Sequence, residues 1–401
     1  MNILLISRCP PYPLHLGDRL IPYHLAEQLS CRHTIDLLAF YNRADDPQNV
    51  DHYQQFFHTV RLIPEHPRTT KTLIRRLIRP GSIYPRHAED SWSPEMWQAI
   101  NKQLANTHYD LVQLFGGIQV YEYRNLLRGL PTVITPYESY TLYLSRLLAH
   151  QHNITGRFTI WLQYMAAARY EGVMFTGYDA TVVLTENDRL ALKKLNPKLP
   201  LHVIPNGIDL HYFTSEDELP QANHEPVLLF VGNYEYAPNV DAALRLGLEI
   251  FPRIKRELPD ARLLLVGNNP PDAVRALASE DIEVTGHVPD VRPYFQQASV
   301  FISPLRLGAG IKNKVLEAMA MGKPLVATAI SGEGIGLVEG RNVLYADTSE
   351  DLALAAIRLL NNSDLKKRMG QANRQIIEQS FTWEAVSRQY ETLYANLGKR
   401  I

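Results

Sequence analysis

The feature that most narrows the fold is a series of short apolar segments rich in Ile, Leu and Val, each followed by a helix-patterned stretch. They fall at residues 3–6, 34–40, 111–115, 132–135 and 180–184 in the first half of the chain. In the second half they fall at 227–231, 262–266, 282–285, 300–303 and 325–328. Strands that are apolar along their length are covered on both faces, as in parallel sheets flanked by helices. Their alternation with helices predicts βαβ units and a doubly wound α/β architecture. A chain of 401 residues holds two such domains of ordinary size.

The break between the halves follows His202-Val203-Ile204-Pro205-Asn206-Gly207. From there to Pro226 the text is polar and holds Glu216, Asp217, Glu218 and Pro220. Turn residues and charge without periodicity read as a linker. The expected organisation is an N-terminal domain over 1–205, a linker over 206–225 and a second domain over 226–380. A final segment, 381–401, is a helix with apolar residues at Val386, Tyr390, Leu393 and Leu397.

Composition removes several function classes. A formal net charge of −1 gives no electrostatic footprint for nucleic acid. Two cysteines, Cys9 and Cys31, are too few for a disulfide framework and form no Cys-x-x-Cys pair, which fits a reducing, cytoplasmic compartment. The first residues lack the basic start and apolar core of a signal peptide, and no apolar run approaches the ~18 residues of a spanning helix. A peripheral place on the inner face of a membrane stays open. Residues 68–79 are basic, and Leu73, Ile74, Leu77 and Ile78 give them an apolar face. They read either as a solvated helix and loop or as a contact with anionic head groups or an anionic acceptor.

The most informative stretch runs from Ser303 to Pro324 and contains Arg306-Leu307-Gly308-Ala309-Gly310-Ile311-Lys312-Asn313-Lys314, then Glu317. It follows the strand 300–303, and a helix is expected from near Ile311 to a stop at Gly322. Strand, glycine loop and helix start together suit a diphosphate. The first amides of a helix lack internal partners, the dipole is positive there, and glycines let the backbone approach the anion. Lys312 and Lys314 oppose the dipole, and a bound anion offsets that cost. Glu317 lies on the same face, one to two turns further along, where a carboxylate can accept hydrogen bonds from two ribose hydroxyls. The alternative is a plain surface pair between Lys314 and Glu317.

These residues resemble the donor-site signature of retaining glycosyltransferases of family four, which have the GT-B fold: two Rossmann-like doubly wound domains facing a central cleft. Val203-Ile204-Pro205-Asn206-Gly207-Ile208-Asp209 is similar to the family's inter-domain segment. Val300-Phe301-Ile302-Ser303-Pro304 is similar to its strand before the loop. Gly286-His287-Val288-Pro289-Asp290 is similar to a loop whose backbone contacts the base. The resemblance implies that Glu317 binds the donor ribose. It implies that the amides of Gly308, Ala309, Gly310 and Ile311 face the diphosphate and sugar. Lys312 and Lys314 then neutralise the leaving group with help from Arg306.

Two positions depart from the family pattern. Ala309 stands where many members carry a Glu that contacts the sugar. Asn233, after Val231-Gly232, stands where many carry an Arg, with no Lys close behind. Lys312 and Lys314 are expected to replace that cationic pair.

In the first domain, the proline-rich segment 8–16 leads to Gly17, which opens a helix to about Leu29 and in the family closes over the diphosphate. Arg19 and His24 on that helix are further candidates for phosphate or acceptor contacts. Glu138, in Pro136-Tyr137-Glu138-Ser139, is the candidate polar group near the reacting centre. The resemblance also implies a front-face reaction that needs no protein nucleophile. Gly116-Gly117 leaves room for an acceptor or is a turn. No Asp-x-Asp motif, Walker loop or Gly-x-Gly-x-x-Gly run after the first strand is present, so no metal and no cofactor beyond the nucleotide-sugar donor is expected. The expected acceptor is a glycan, a lipid-linked molecule or a small molecule. An epimerase on the same fold and a non-catalytic sugar-binding member are the competing readings.

Overall fold

The computed structural model describes residues 1–14, 17–66, 84–214 and 226–399. The basic segment 68–79 and most of the expected linker lie outside the described residues. The chain divides into two compact units, Met1–Ile204 with Val386–Ile401, and Pro205–Ala385.

The first unit is built on a sheet of seven parallel strands in the order β3-β2-β1-β4-β5-β6-β7. They are β1 (Asn2–Ser7), β2 (Thr34–Tyr41), β3 (Thr59–Pro64), β4 (Leu111–Phe115), β5 (Thr132–Tyr137), β6 (Ala180–Val183) and β7 (Leu201–Val203). β1 lies between β2 and β4, and the residues of both its neighbours are almost wholly buried. The second unit has six parallel strands in the order β10-β9-β8-β11-β12-β13. They are β8 (Val227–Val231), β9 (Arg262–Val266), β10 (Ile282–Val284), β11 (Val300–Ser303), β12 (Leu325–Ala327) and β13 (Val343–Tyr345). Both sheets are doubly wound, as the apolar segments predicted. In β8 the side chains of Leu228, Leu229 and Phe230 are fully buried, each contributing about 2 kcal/mol.

Three strands escape the sequence pattern. β3 alternates exposed and covered positions because it is an edge strand. β7 and β13 are also edges and are only three residues long, too short to show a period.

The helices begin where the sequence supplies caps. Ser93, Ser139, Asn153, Thr185, Thr348 and Asn362 each accept a hydrogen bond from an amide of the following first turn. The last helix, Trp383–Gly398, buries Val386, Tyr390, Leu393 and Leu397, and Tyr394 Oη donates to Gln113 Oε1 on β4 at 2.9 Å. Residues 206–214, expected to begin a linker, are instead packed into the second unit. Asn206, Ile208 and Phe213 are buried, and Ile208 bridges Thr382. Their turn residues shape a fold-back rather than a tether.

One close approach fixes the carboxyl ends of β8 and β9. Gly267 has φ +151°, and a Cβ there would stand 1.8 Å from the carbonyl oxygen of Gly232. Neither backbone can give way cheaply. Gly267→Ala is expected to destabilise the protein by about 3 kcal/mol. Urea denaturation checks this, and an unchanged midpoint would refute the constraint.

Candidate functional site

In open α/β sheets ligands bind outside the carboxyl ends of the strands, where the strand order reverses. In the second unit that point lies between β8 and β11. β8 runs out into Gly232 and Asn233, and β11 into Pro304 and the glycine loop. The sheet topology therefore brings the two quoted motifs to one place.

Gly308 and Gly310 have φ of +119° and +66°, conformations that favour glycine. Ala309 and Ile311 bury their side chains, so the loop presents mainly backbone. The left-handed turn at Gly310 delays the helix, which spans Asn313–Ala320 rather than starting near Ile311. Lys312 is its N-cap and makes no side-chain cap, since an ammonium cannot accept a hydrogen bond. The helix stops as expected, with Gly322 at φ +63° and its amide bonded to Met319 O. Asn206 Nδ2 donates to Asn313 Oδ1 at 2.7 Å and so pins the first helical residue.

The two lysines differ. Lys312 is buried, and its Nζ folds back to donate to Ala309 O at 2.9 Å and Gly310 O at 2.6 Å. It braces the loop from beneath, which differs from the expectation of a charge aimed outward at a phosphate. Lys314 lies across the mouth between the two strand ends. Its Nζ donates to Asn239 Oδ1 and sits 4.7 Å from the centroid of the Phe230 ring on β8. Asn239 is buried and donates in turn to Asn233 O at 2.6 Å. Burial pushes Lys314 down to about 7, the Glu317 carboxylate opposing and the like charge of Lys312 adding to the shift. Burial pushes Glu317 up to about 7, with Lys314 opposing. Burial thus disfavours the charged form of each group, and their opposite charges work against that shift.

Other expected residues are placed as follows. Arg306 is held by Asp241 through two contacts at 2.5 and 3.1 Å, so its charge is already matched within the unit. Asn233 caps a tight turn, its Oδ1 accepting from Glu235 N at 3.1 Å. Gly232 is packed against Asn239, where a Cβ would stand 3.0 Å from Cγ. His287 is exposed and Val288 half-buried, in the loop after β10, two strands from β8.

Gly17 and Glu138 belong to the first unit. Gly17 is exposed at the start of the helix Gly17–Leu29. Arg19 in that helix is buried in an ion pair with Asp46 at 2.6 Å, and His24 is buried against Glu27, so both have structural partners. Glu138 is half-buried just after β5. The residue before it, Tyr137, has φ +70°, a conformation costing a non-glycine residue about 1–2 kcal/mol. Its hydroxyl donates to Asp18 O at 2.7 Å. Gly116, at φ +123°, lies against the Arg8 side chain, 2.5 Å from where its Cβ would be. The double glycine after β4 therefore admits Arg8, which pairs with Asp18 at 3.4 Å.

Sequence reasoning missed Asn239, Phe230, Asp241 and Tyr236, whose hydroxyl lies 3.6 Å from a Cβ placed on Gly308. Only the three-dimensional neighbourhood of β8 and β11 singles them out.

Residues 23–212 match the model of glycosyltransferase family 4, and residues 225–362 match that of glycosyl transferases group 1. The phosphatidyl-myo-inositol mannosyltransferase of Mycobacterium tuberculosis is 28% identical over 203 residues, 48% of this chain and 53% of that protein. The N-acetyl-alpha-D-glucosaminyl L-malate synthase of Bacillus anthracis is 25% identical over 213 residues, 50% and 55% respectively. The matched stretch thus spans about half the length of these curated relatives. Among solved structures, sucrose-phosphate synthase from Thermosynechococcus elongatus superposes with a TM-score of 0.74 at 18% identity, covering 100% of both chains. Anabaena HepE, solved with UDP and glucose, gives 0.69 at 15% identity, covering 98% of this chain and 99% of that one.

Proposed function

From the premise that the chain belongs to the group 1, family 4 glycosyltransferases and has the GT-B fold, we propose that it transfers a hexose from a nucleotide-diphosphate sugar to a glycan, lipid-linked or small-molecule acceptor, with retention of anomeric configuration and without a metal. The observation that carries this reading is the Lys314–Glu317 pair at the strand-order reversal, beside a backbone-presenting glycine loop. The Anabaena structure with UDP and glucose supports the donor class.

In this reading the roles divide by chemistry. Glu317 accepts hydrogen bonds from the donor ribose. The amides from Gly308 to Ile311 and the adjoining helix start receive the diphosphate, and Arg306 adds positive potential from its pair with Asp241. Lys314 balances charge as the bond from the anomeric carbon to the diphosphate oxygen breaks, and Lys312 holds the loop in shape. Gly232, Asn233, His287 and Val288 line the base and sugar side. The acceptor oxygen bonds to the anomeric carbon, and its proton passes to the leaving diphosphate.

Thermal melting tests the donor site. Nucleoside diphosphates and their sugars are added with and without a chelator. A ligand that binds only the folded state raises the melting temperature, by about 2.7 kcal/mol of stability at a hundredfold excess over Kd. Stabilisation by one base and one of its sugars is the expected result. No shift with any donor would overturn the reading, and a shift abolished by the chelator would overturn its metal independence.

A further inference from the structure

The helix Ile154–Met174 does not follow the usual rule for a surface helix. Its inner stripe is ordinary. Ile160 and Ala167 are buried with Leu144 of the preceding helix, Tyr140–His150, in a small core of their own, with Tyr143, Leu147, Leu148 and Tyr164 packed around it. Its outer face is apolar as well. Ile154, Phe158, Trp161, Leu162 and Met165 are 82%, 59%, 45%, 49% and 51% exposed. At ~100° per residue these five fall within an arc of about 100°, on the side away from the inner stripe. Phe158 and Trp161 stack with centroids 6.0 Å apart, so the patch is continuous. Exposed apolar patches of this kind mark protein or membrane contacts.

The charge around the patch selects the partner. Between Glu138 and Glu171 the sequence contains no Asp or Glu, but it contains Arg146, Arg157 and Arg169, with His150 and His152 in the turn. Arg157 and Arg169 are exposed and border or enter the apolar arc. The next acid, Glu171, is turned inward, where it accepts from Ser139 Oγ at 3.1 Å and Tyr140 N at 2.7 Å. An apolar arc holding Trp and Phe, flanked by arginine and free of carboxylate, is the composition of a helix lying in a lipid interface. Among the described residues no helix is long and apolar enough to cross a membrane. We infer that the outer face of Ile154–Met174 docks this protein on an anionic lipid surface, with Phe158, Trp161, Leu162 and Met165 entering the acyl boundary and Arg157 and Arg169 facing the head groups. The surface belongs to the first unit, whereas Lys314 and Glu317 belong to the second.

Sedimentation of the full chain with phosphatidylcholine vesicles, with and without phosphatidylglycerol, tests this. Wild type is expected to bind the anionic vesicles, and emission from Trp161, the exposed one among the four tryptophans, is expected to shift to the blue. Phe158→Ser with Leu162→Ser is expected to weaken binding by about tenfold or more, while melting stays unchanged because both side chains are exposed. Arg157→Gln with Arg169→Gln is expected to abolish the preference for phosphatidylglycerol. Absence of wild-type binding, or equal binding by the Ser variant, overturns the proposal. So does a wild-type dimer that the Ser variant converts to a monomer, which would make a second copy the occupant.

Discussion

Glu317→Gln is expected to lower kcat/KM for the nucleotide-sugar donor by about two to three orders of magnitude. The substitution keeps the shape of the side chain, removes the charge and replaces one acceptor oxygen by an NH2 donor. A carboxylate accepting from two ribose hydroxyls makes charge-assisted hydrogen bonds, each worth roughly 1.5–3 kcal/mol. A donor lacking a ribose hydroxyl separates this role from a purely structural one. Wild type should discriminate strongly against the deoxy donor, and the variant should treat the two donors nearly alike. Equal loss for both donors would refute ribose binding. The same variant should leave melting of the unliganded protein little changed at and below neutrality, because burial raises Glu317 and favours its protonated form. Gln resembles that protonated form.

How far the sequence reaches is clear from these residues. The sheets were legible because β1, β4, β8, β9 and β11 carry mostly apolar runs with no regular alternation, a pattern that survives without any tertiary information. The edge strands β3, β7 and β13 were not, since an edge is half solvated or too short. The glycine loop and the helix stop at Gly322 were legible from chain grammar, but the helix start was displaced by the left-handed turn at Gly310. Side-chain direction was hidden. Lys312 and Lys314 look equivalent in sequence, yet one braces the loop carbonyls and the other spans to Asn239. Arg306 looks like a free cation until Asp241, 65 residues earlier in the chain, is placed beside it. Such pairings belong to the fold, and a single sequence carries no local trace of them.

Lys314→Ala is expected to lower kcat by about 10²–10³-fold at saturating donor, the usual cost of removing one group aimed at developing charge. It should raise KM as well, because the charge facing the diphosphate is lost, whereas Lys312→Ala, which loosens the loop, should raise KM and affect kcat less. The pH dependence assigns the roles. In the free protein Lys314 is lowered to about 7 and Glu317 raised to about 7, so their protons belong to the pair rather than to either group. In the proposed roles the donor selects the form with a charged ammonium and a charged carboxylate. Below neutrality the pair carries an extra proton on Glu317 and loses its ribose acceptor. Above neutrality it loses the proton on Lys314 and the charge facing the diphosphate. A nucleotide sugar does not itself titrate in this window, so 1/KM should trace a narrow bell centred near pH 7, each limb falling up to tenfold per pH unit. The sign of each limb follows from the shift. Donor binding raises the lysine from its depressed value, so affinity is lost as pH rises through that value. Donor binding lowers the glutamate from its raised value, so affinity is lost as pH falls through it. Glu317→Gln should remove the acid limb alone and Lys314→Ala the alkaline limb alone. A bell that persists unchanged in both variants would show that other groups titrate, and the assignment of the pair would fail.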